Sequence, residues 1–499
     1  MRLRPDPTVT AEDLARGRRA LVTEAAWATT AGALYGGVIL VGFALELGAT
    51  PFAIGLLAAI PFLAQVSQLP AIALIERVRE RRKITVLAVT LARFLILLLA
   101  LIPLLEGRPL QLATLIAAQL AIALSGAVAG CAFNSWVHQL VPREELGALF
   151  ARRLFWSTVL ASLGALAAGY LVQHWPLEDK LPAYSIAFVA AGTAGFISSR
   201  YLVAVPEPAM AKTGPPLPLA QLIGAPLRDG NFCSVIVFMA SWNLASNVAA
   251  PFITVYLLRQ LGFELGTVTT LWVVGQVTTA LTLYLWGRLS DRLSNKAVLR
   301  VALPAYFACL GALPFTALPA VHWLTLPLLY LLHLVMGAAA GGIALAAGNL
   351  GLKLAPQGRG TAYLAAVGLA GSIAAGLAAL AGGALAGWFS ARELALTLHW
   401  TAPGTTQQVR LLQFHHWEFL FAVSFLIGFY VLHRLSRIQE GEEHSERVVV
   451  QQFVLEAFRS IDQLSPIDGL RTVILFPFGR LRDRRLKPRP LAEDHPSEL

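Results

Sequence analysis

Side chains that could carry out chemistry are few within the apolar stretches of this sequence, and their spacing matches no reactive or metal-binding motif. The cysteines Cys131, Cys233 and Cys309 lie in separate apolar segments, which is typical of small buried side chains rather than metal ligands. The sequence has no nucleotide-binding loop, paired His and Cys ligands, haem motif or nucleophile elbow. We therefore expect neither an enzyme nor a bound cofactor or metal.

Arg93 is a cation deep within an apolar stretch. It lies about ten residues into the stretch 84–104, and a helix rising 1.5 Å per residue would place it near the middle of a lipid bilayer. An unpaired cation at that depth costs about 2.5 kcal/mol or more, so Arg93 must find a partner or water. Either it contributes to an anion site or a gate, or it forms a structural pair with a carbonyl or a polar neighbour.

Carboxylates suited to proton coupling are not expected in the membrane interior. A proton-coupled carrier often has an acidic side chain at depth. Here Glu24, Glu46, Glu264 and Glu418 all lie near the predicted ends of apolar stretches. The sequence therefore gives no support to proton coupling.

The elements that position these side chains must be membrane helices. Of the 499 residues, 56% are hydrophobic and 14% are charged, with a mean hydropathy of +0.64, whereas soluble domains carry about 25% charged residues. Apolar runs of about 20 residues, long enough to cross a bilayer as helices, recur along the chain. Twelve helices are predicted at residues 24–46, 52–75, 84–104, 110–136, 153–174, 182–204, 231–257, 264–286, 297–318, 323–347, 361–388 and 414–436.

The basic residues predict the orientation of these helices. The net charge is +10, but Lys and Arg occur in short clusters between apolar runs, which favours topological signals over nucleic-acid binding. The loops after helices 2, 4, 8 and 10 are rich in them, whereas the opposite loops carry only Arg108, Lys180, Arg259, Arg392 and Arg410. Both termini are therefore predicted to be cytoplasmic, in a bacterial-type plasma (inner) membrane.

The two halves of the sequence repeat. The Pro-rich segment 206–218 separates helices 6 and 7. Leu47-Gly48 after helix 1 recurs as Leu261-Gly262 after helix 7. Glu76-Arg77 after helix 2 recurs as Asp291-Arg292 after helix 8, at almost the same spacing. Such repeats are characteristic of secondary transporters.

The repeat predicts five segments. We expect a cytoplasmic N-terminal segment, a first six-helix bundle, a cytoplasmic linker, a second six-helix bundle and a cytoplasmic tail, at residues 1–23, 24–204, 205–230, 231–436 and 437–499. Apolar residues beside basic ones in the tail predict that it rests on the membrane. The alternative is a disordered, solvated tail.

The loop between helices 8 and 9 resembles the signature loop of the major facilitator superfamily. That signature has Gly, any residue, Leu, any residue, Asp, Arg and then a basic residue. The matching positions here are Gly287, Leu289, Asp291, Arg292 and Lys296. The loop after helix 2 has Ile72 at the Gly position and Glu in place of Asp, but it keeps Glu76, Arg77, Arg81 and Arg82.

The resemblance covers residues 20–437 and implies both a fold and a function. The fold is an all-α membrane protein with twelve transmembrane helices in two six-helix bundles related by pseudo-twofold symmetry. The function is secondary active or facilitative transport of a small solute across the plasma membrane by alternating access, as a monomer and without nucleic acid. The alternative is a superfamily-like protein that no longer transports and acts as a membrane sensor or an assembly factor.

The resemblance also implies a cytoplasmic gate. In such folds the loop after helix 2 meets the start of helix 11, and the loop after helix 8 meets the start of helix 5. We expect Glu76 to approach Arg359, and Asp291 to approach Arg152 and Arg153. The predicted gate residues are Glu76, Arg77, Arg81, Gly287, Asp291, Arg292, Lys296, Arg152, Arg153 and Arg359. The alternative is that these are solvated loop charges that only set topology.

Helices 1, 4, 7 and 10 line the central cavity of the resembled fold, and polar or aromatic side chains gather on them. Asn243 and Asn247, four residues apart, share one helix face. With Arg93 on helix 3, the predicted substrate-cavity residues are Tyr35, Arg93, Gln119, Asn134, Trp242, Asn243, Asn247 and His333. For any one of them the alternative is a hydrogen bond between helices.

Overall fold

The computed structural model describes residues 5–6, 9–140, 143–210, 219–318, 320–356, 360–402, 405–440 and 451. In this part of the chain, twelve helices are long and apolar enough to cross a membrane. These spans 1 to 12 are Ala11–Glu46, Pro51–Val78, Arg81–Leu104, Arg108–Val137, Leu149–Gln173, Leu181–Val203, Gly230–Gln260, Leu265–Arg292, Asn295–Ala317, Thr325–Leu354, Tyr363–Phe389 and Glu418–Ser436. The predicted number of membrane helices is confirmed.

Spans 1 and 2 are both interrupted. Span 1 consists of the helices Ala11–Tyr35 and Gly37–Glu46, with Gly37 at φ +51°. Span 2 consists of Pro51–Leu63, a 3₁₀ turn and Gln68–Val78. The ring of Pro70 would clash with the carbonyl of residue 66 in a regular α-helix, which explains the 3₁₀ turn.

Other helices end in tighter or wider turns, or continue beyond the spans. Spans 3 and 9 end in 3₁₀ turns, and span 7 ends in a π-helical turn, at Leu99–Leu104, Leu313–Ala317 and Tyr256–Gln260. The helices of spans 4, 5 and 11 run over Arg108–Leu140, Arg143–Gln173 and Gly360–Phe389. A short helix, Leu219–Arg228, precedes span 7.

The first helix begins at Ala11, earlier than the predicted start at residue 24. Thr10 and Asp13 form a capping box, in which the Asp13 N–H donates to Thr10 Oγ1 at 3.2 Å and the Thr10 N–H donates to Asp13 at 3.3 Å. This cap satisfies the helix N-terminus well before the apolar run. As a result, Glu24 lies inside a continuous helix and not near its end.

A β-hairpin joins spans 11 and 12, where the sequence predicted only a loop. Strand β1, Glu393–Ala402, pairs antiparallel with strand β2, Thr405–His415, and Glu393 lies opposite His415. Leu394, Leu396 and Leu398 alternate along β1 and are each about half exposed. That period of two is the pattern of a strand with one apolar face.

The packing of the helices repeats between the two halves. In the first half, span 1 packs on spans 5 and 6, and span 3 packs on spans 4 and 6. In the second half, span 7 packs on spans 11 and 12, and span 9 packs on spans 10 and 12. The predicted arrangement of two six-helix bundles is therefore confirmed. The halves meet where span 2 packs on span 11 and span 5 packs on span 8.

The described contacts between the halves concentrate at one end of the bundle. We call the end where span 2 ends and span 3 begins the basic end, and the other the opposite end. At the opposite end, a Cβ atom at Gly55 would lie 2.5 Å from the Ala379 carbonyl oxygen. Arg259 of span 7 donates a hydrogen bond to the Leu45 carbonyl of span 1 at 2.9 Å. Small residues and this hydrogen bond hold the halves together there.

Towards the basic end, spans 1 and 2 diverge from the helices of the second half. Gly37–Glu46 contacts spans 7 and 8, whereas Ala11–Tyr35 packs mainly on spans 5 and 6 of its own half. Pro51–Leu63 packs on span 11, whereas Gln68–Val78 packs mainly on span 4. The interruptions in spans 1 and 2 therefore coincide with the level at which the halves separate. This arrangement opens the bundle towards the basic end, which is predicted to be cytoplasmic.

Candidate functional site

A cavity of about 350 Å³ lies within the first half, between spans 1, 2, 3, 4 and 6. We call it the first-half chamber. Its polar lining consists of Glu24, Tyr35, Gln65, Thr85, Arg93 and Gln119, and most of the remaining wall is apolar. Three predicted substrate-cavity residues, Tyr35, Arg93 and Gln119, thus lie together.

Arg93 reaches the chamber past the backbone of span 6. A Cβ atom at Gly195 would lie 2.8 Å from Cγ of Arg93, so the missing side chain of glycine provides the space for the arginine stem. Nε of Arg93 is buried and has no hydrogen-bond partner in the described part of the chain. Tyr35 and Glu24 are nevertheless within electrostatic reach of the Arg93 guanidinium, so both interpretations of Arg93, an anion site or gate and a structural pair, stay predictions.

Glu24 lies beside two arginines. Nη2 of Arg153 donates to Glu24 Oε2 at 3.3 Å, and Ser198 Oγ donates to Glu24 Oε1 at 3.4 Å. Arg93 is also within electrostatic reach of this carboxylate. The expectation that Glu24 lies near a span end was wrong, because the charged residues before it extend the helix instead of terminating it. A buried carboxylate is thus present within the first half.

A second cavity, of about 510 Å³, lies between the halves and is lined by spans 1, 4, 5 and 8. We call it the cleft. Asn134, Arg153, Trp272, Gln276 and Thr279 contribute to its wall. The ring of Phe133 lines both the cleft and the first-half chamber, and the Arg153 guanidinium lies 5.0 Å from the centre of this ring. Phe133 and Arg153 therefore stand at the boundary between the two cavities.

Comparison with known proteins identifies the family. The profile described as Major Facilitator Superfamily matches residues 25–379, well over half of the chain. The chain belongs to the Major Facilitator Superfamily. It is accordingly a multi-pass membrane protein of a transporter family, as the loop signature at Gly287 to Lys296 predicted. A search of curated proteins finds no match.

Solved structures of transporters share the superfamily fold at low identity. A mutant of the nucleoside transporter NupG has a TM-score of 0.64 at 12% identity, over 85% of this chain and 100% of that chain. The xylose transporter XylE from E. coli, in a partially occluded inward-open conformation, has a TM-score of 0.58 at 11% identity, over 87% and 100%. A bacterial homologue of the iron transporter ferroportin, inward-facing, has 0.57 at 14%, over 85% and 98%. At these identities the likeness shows the fold alone.

The predicted cavity residues of the second half bond within their own helices or pack against rings. Asn243 Nδ2 donates to the Met239 carbonyl at 2.8 Å, and Asn247 Nδ2 donates to the Asn243 carbonyl at 2.9 Å. Nδ1 of the buried His333 lies 2.8 Å from the Leu329 carbonyl oxygen. The Trp242 ring packs edge-on against the rings of Tyr306 and Phe307, at 5.0 and 5.7 Å. None of the four lines the chamber or the cleft.

Among the described residues, the predicted contacts of Asp291 with Arg152 and Arg153 are not formed in this conformation. Asp291 is exposed and has no ion pair with a described residue, whereas Arg153 pairs with Glu24. Glu76 is half-buried, and its predicted partner Arg359 lies outside the described residues. The gate stays a prediction for a state in which the basic end is closed.

The remaining gate residues near these carboxylates have separate surroundings. Arg77 is exposed. Gly287 faces span 10, where a Cβ atom would contact Leu345 at 3.7 Å. Arg152 and Arg292 each have an interaction partner. A Cβ atom at Gly287 would therefore be in ordinary van der Waals contact with span 10 in this state.

Arg81 and Lys296, two other predicted gate residues, are held by carboxylates that sequence reasoning missed. In the first half, Glu207 Oε1 accepts the Arg81 N–H at 2.7 Å. In the second half, Glu440 accepts the N–H groups of Asn295 and Lys296 at 3.2 and 2.6 Å. Each carboxylate therefore caps the first turn of the third helix in its half.

The two carboxylates have different surroundings. Glu207 and Arg81 are almost completely buried, and Arg81 also donates to the carbonyls of Ser135 and Pro208. Burial raises the pKa of Glu207, although the N–H groups it accepts oppose the shift. Burial also opposes ionisation of Glu440. There, however, hydrogen bonds from Lys296, Asn295 and Lys353 outweigh burial and hold the pKa below its ordinary value.

A signal for these carboxylates was present in the sequence. Glu207 and Glu440 each follow the last residue of the final helix in their half by the same short interval, after Val203 and Ser436. The internal repeat of the two halves therefore extends to these two positions.

Proposed function

We propose that this chain is a secondary active or facilitative transporter that carries a small solute across the plasma membrane by alternating access between its two halves. The observation that supports it most strongly is the asymmetry along the bundle. The halves are packed at the opposite end, whereas spans 1 and 2 leave the second half towards the basic end. Cavities with some polar side chains in largely apolar walls lie within the first half and between the halves.

The seal at the opposite end is built from contacts that can separate. A Cβ atom at Gly169 of span 5 would lie 2.9 Å from the Thr269 Cβ of span 8. Glycine and threonine surfaces of this kind pack by van der Waals contact with few directional bonds to break. The separate carboxylate caps on Arg81 and on Asn295 at the basic end lie within each half, so that opening there leaves them intact.

A reversible cross-link tests the proposal. After replacement of the native cysteines by Ser, Gly169→Cys with Thr269→Cys is expected to form a disulfide that locks the opposite end shut, once the two helices move apart from the 2.9 Å Cβ separation to the roughly 3.5–4.5 Å that a disulfide requires. Proteoliposomes loaded with labelled nucleosides, sugars, amino acids and organic carboxylates should release at least one solute in the reduced form. Oxidation should abolish that release.

A matched cross-link within one half is the control. A Cβ atom at Gly164 of span 5 would lie 3.0 Å from Thr30 Cγ2 of span 1, so Gly164→Cys with Thr30→Cys joins helices that move together. Its oxidation should leave flux unchanged. Equal flux through the oxidised and reduced Gly169 and Thr269 pair contradicts alternating access. No flux of any solute favours the alternative of a membrane sensor or an assembly factor.

Distances between spin labels give a second readout that does not need a known solute. Exposed positions at the basic end are Val78 and Leu352, and exposed positions at the opposite end are Leu104 and Trp323. Alternating access predicts that a state in which the distance between Val78 and Leu352 is shorter has a longer distance between Leu104 and Trp323. A single distance for each pair under all conditions contradicts it.

A further inference from the structure

We propose that the first-half chamber binds a small organic carboxylate, with the anionic group held by Arg93 and an apolar body against the chamber wall. The inference rests on the proposed function, because it names the class of solute that the transporter carries. Its support comes from the charges, the unpaired atoms, the volume and the openings of the chamber.

The net positive charge of the chamber favours an anionic ligand. Arg153 and Glu24 form an ion pair at 3.3 Å and neutralise each other. Arg93 is within electrostatic reach of the same carboxylate, but one carboxylate balances only one of the two arginines. A net positive charge therefore remains in the chamber wall, and the buried Nε of Arg93 makes no hydrogen bond with a described residue. A cation held within a membrane protein is stable only with a partner or with water. An anionic ligand supplies that partner with charge-assisted hydrogen bonds.

The unpaired atoms of the chamber match a carboxylate with a neighbouring polar group. Among the described residues, Nε of Arg93 is a buried donor without an acceptor, and Oε1 of Gln119 is a buried acceptor without a donor. Both side chains line the chamber. A ligand carboxylate satisfies the arginine, and a hydroxyl on the same ligand satisfies the glutamine. Buried polar groups left unpaired are otherwise costly.

The volume of the chamber and its apolar wall limit the size and the polarity of the rest of the ligand. A cavity of about 350 Å³ has room for roughly ten non-hydrogen atoms beside ordered water. Apolar side chains such as Val89, Ile122 and Phe133 form much of the wall. A compact hydrocarbon or aromatic body therefore fits better than a polyhydroxylated one.

Span 4 leaves the chamber open. Gly126 and Gly130 line the chamber, and Cβ atoms at these positions would meet no other described atom within 4 Å. The missing side chains leave free space beside the polar groups, through which a ligand can enter. Phe133, one turn further along the span, lies at the boundary with the cleft.

Binding to the purified protein tests the inference independently of transport. Butyrate, 2-hydroxybutyrate, phenylacetate and mandelate are each compared with the amide of the same skeleton, by thermal unfolding in detergent and by calorimetry. A ligand that binds only the folded protein raises its unfolding temperature. At least one carboxylate should stabilise the protein and its amide should not. A hydroxylated member that binds more tightly than its deoxy partner reports the contact with Gln119.

Two variants assign the binding to the chamber. Arg93→Gln should weaken carboxylate binding by about tenfold or more, because it removes the charge-assisted contact. Gly126→Leu should weaken binding while every charged residue stays in place. Arg228→Gln, an exposed arginine outside the spans, and Gly368→Leu, an exposed glycine of span 11 with free space around it, are the matched controls. Unfolding without ligand confirms that each variant is folded.

The outcomes separate this inference from the proposed function. Carboxylates that do not bind, amides that bind equally well, or an Arg93→Gln protein that binds like the parent each overturn the inference. The release of a nucleoside or sugar from proteoliposomes would then leave the proposed function standing. Carboxylate binding that depends on Arg93 without flux of any solute would retain the site and overturn the transporter.

Discussion

Glu207 accepts the backbone N–H of Arg81 at 2.7 Å, and this contact joins the segment after span 6 to the first residue of span 3. Glu440 makes the corresponding contact after span 12, with Asn295 and Lys296 at the start of span 9. Backbone donors at the N-termini of spans 3 and 9 are therefore satisfied within each half. The halves can separate there without leaving these backbone donors unpaired.

Glu207→Ala is expected to destabilise the protein. Arg81 is almost completely buried, and loss of the acceptor leaves its N–H and guanidinium without this partner, which costs about 2 kcal/mol or more. Chemical unfolding in detergent measures the difference. The control is Glu80→Ala, because Glu80 pairs with Lys83 on a partly exposed surface at 2.8 Å and should contribute about 0.5 kcal/mol or less. Equal effects of the two variants would contradict the role assigned to Glu207.

The two carboxylates are expected to give opposite pH dependences of stability. The pKa of Glu440 is below its ordinary value of 4.5 in the folded protein, so its contribution is present above that pH and is lost as the pH falls through the folded pKa. The pKa of Glu207 is above 4.5, so protonation favours the folded state and stability declines as the pH rises from 4.5 through the folded pKa.

Unfolding temperatures across this pH range test the sign of each shift. Glu440→Gln should reduce the loss of stability below about pH 4.5, and Glu207→Gln should reduce the decline above it. Each variant serves as the control for the other. The same pH profile in both variants would contradict the difference between their surroundings.

Arg93 and Arg153 are expected to respond differently to neutralisation in the absence of ligand. Arg93→Gln removes a cation without a hydrogen-bonded partner at Nε and should raise the free energy of unfolding by about 1 kcal/mol. Arg153→Gln removes the ion-pair partner of Glu24 and should lower it by about 2 kcal/mol. Unfolding of the two variants side by side measures this difference. Destabilisation by Arg93→Gln as large as that by Arg153→Gln would show that Arg93 has a structural partner.

Gly37→Ala is expected to strain the interruption of span 1. Gly37 has φ +51°, a conformation that costs a residue with a side chain about 1 kcal/mol. Gly32→Ala on the same span is the control, because its Cβ atom would have free space and alanine favours a helix by about 0.5–1 kcal/mol. Thermal unfolding should move in opposite directions in the two variants. Stabilisation by both would show that the interruption does not depend on Gly37.

Much of the fold could be predicted because membrane helices are coded by composition over about 20 residues. Features that depend on a few residues were missed. The cap formed by Thr10 and Asp13 extends span 1 across charged residues, where hydropathy alone places a boundary. The alternating leucines of β1 have the period of a strand, but hydropathy averaged over about 20 residues does not resolve a period of two. Pro70 marked the interruption of span 2 in the same way.

The candidate site was partly predictable for a different reason. Arg93 was conspicuous because a cation is costly at its depth, and Tyr35 and Gln119 lay on helices that the family resemblance assigned to the cavity. Glu24 could not be recognised from an incorrect helix start. Asn243, Asn247 and His333 could not be distinguished from cavity residues, because bonds to carbonyls of the same helix leave no trace in composition. The partners of loop charges likewise depend on tertiary structure.

The lining of the first-half chamber affects how strongly solute binding is coupled to the change between the two states. The lining residues all come from spans 1 to 4 and 6, so if the first half keeps its internal packing when the halves move, a bound solute keeps the same contacts in both states. A ligand with equal affinity in two states shifts no population between them. Such a carrier would reorient when empty as readily as when loaded, and it would equilibrate its solute downhill instead of performing strict exchange.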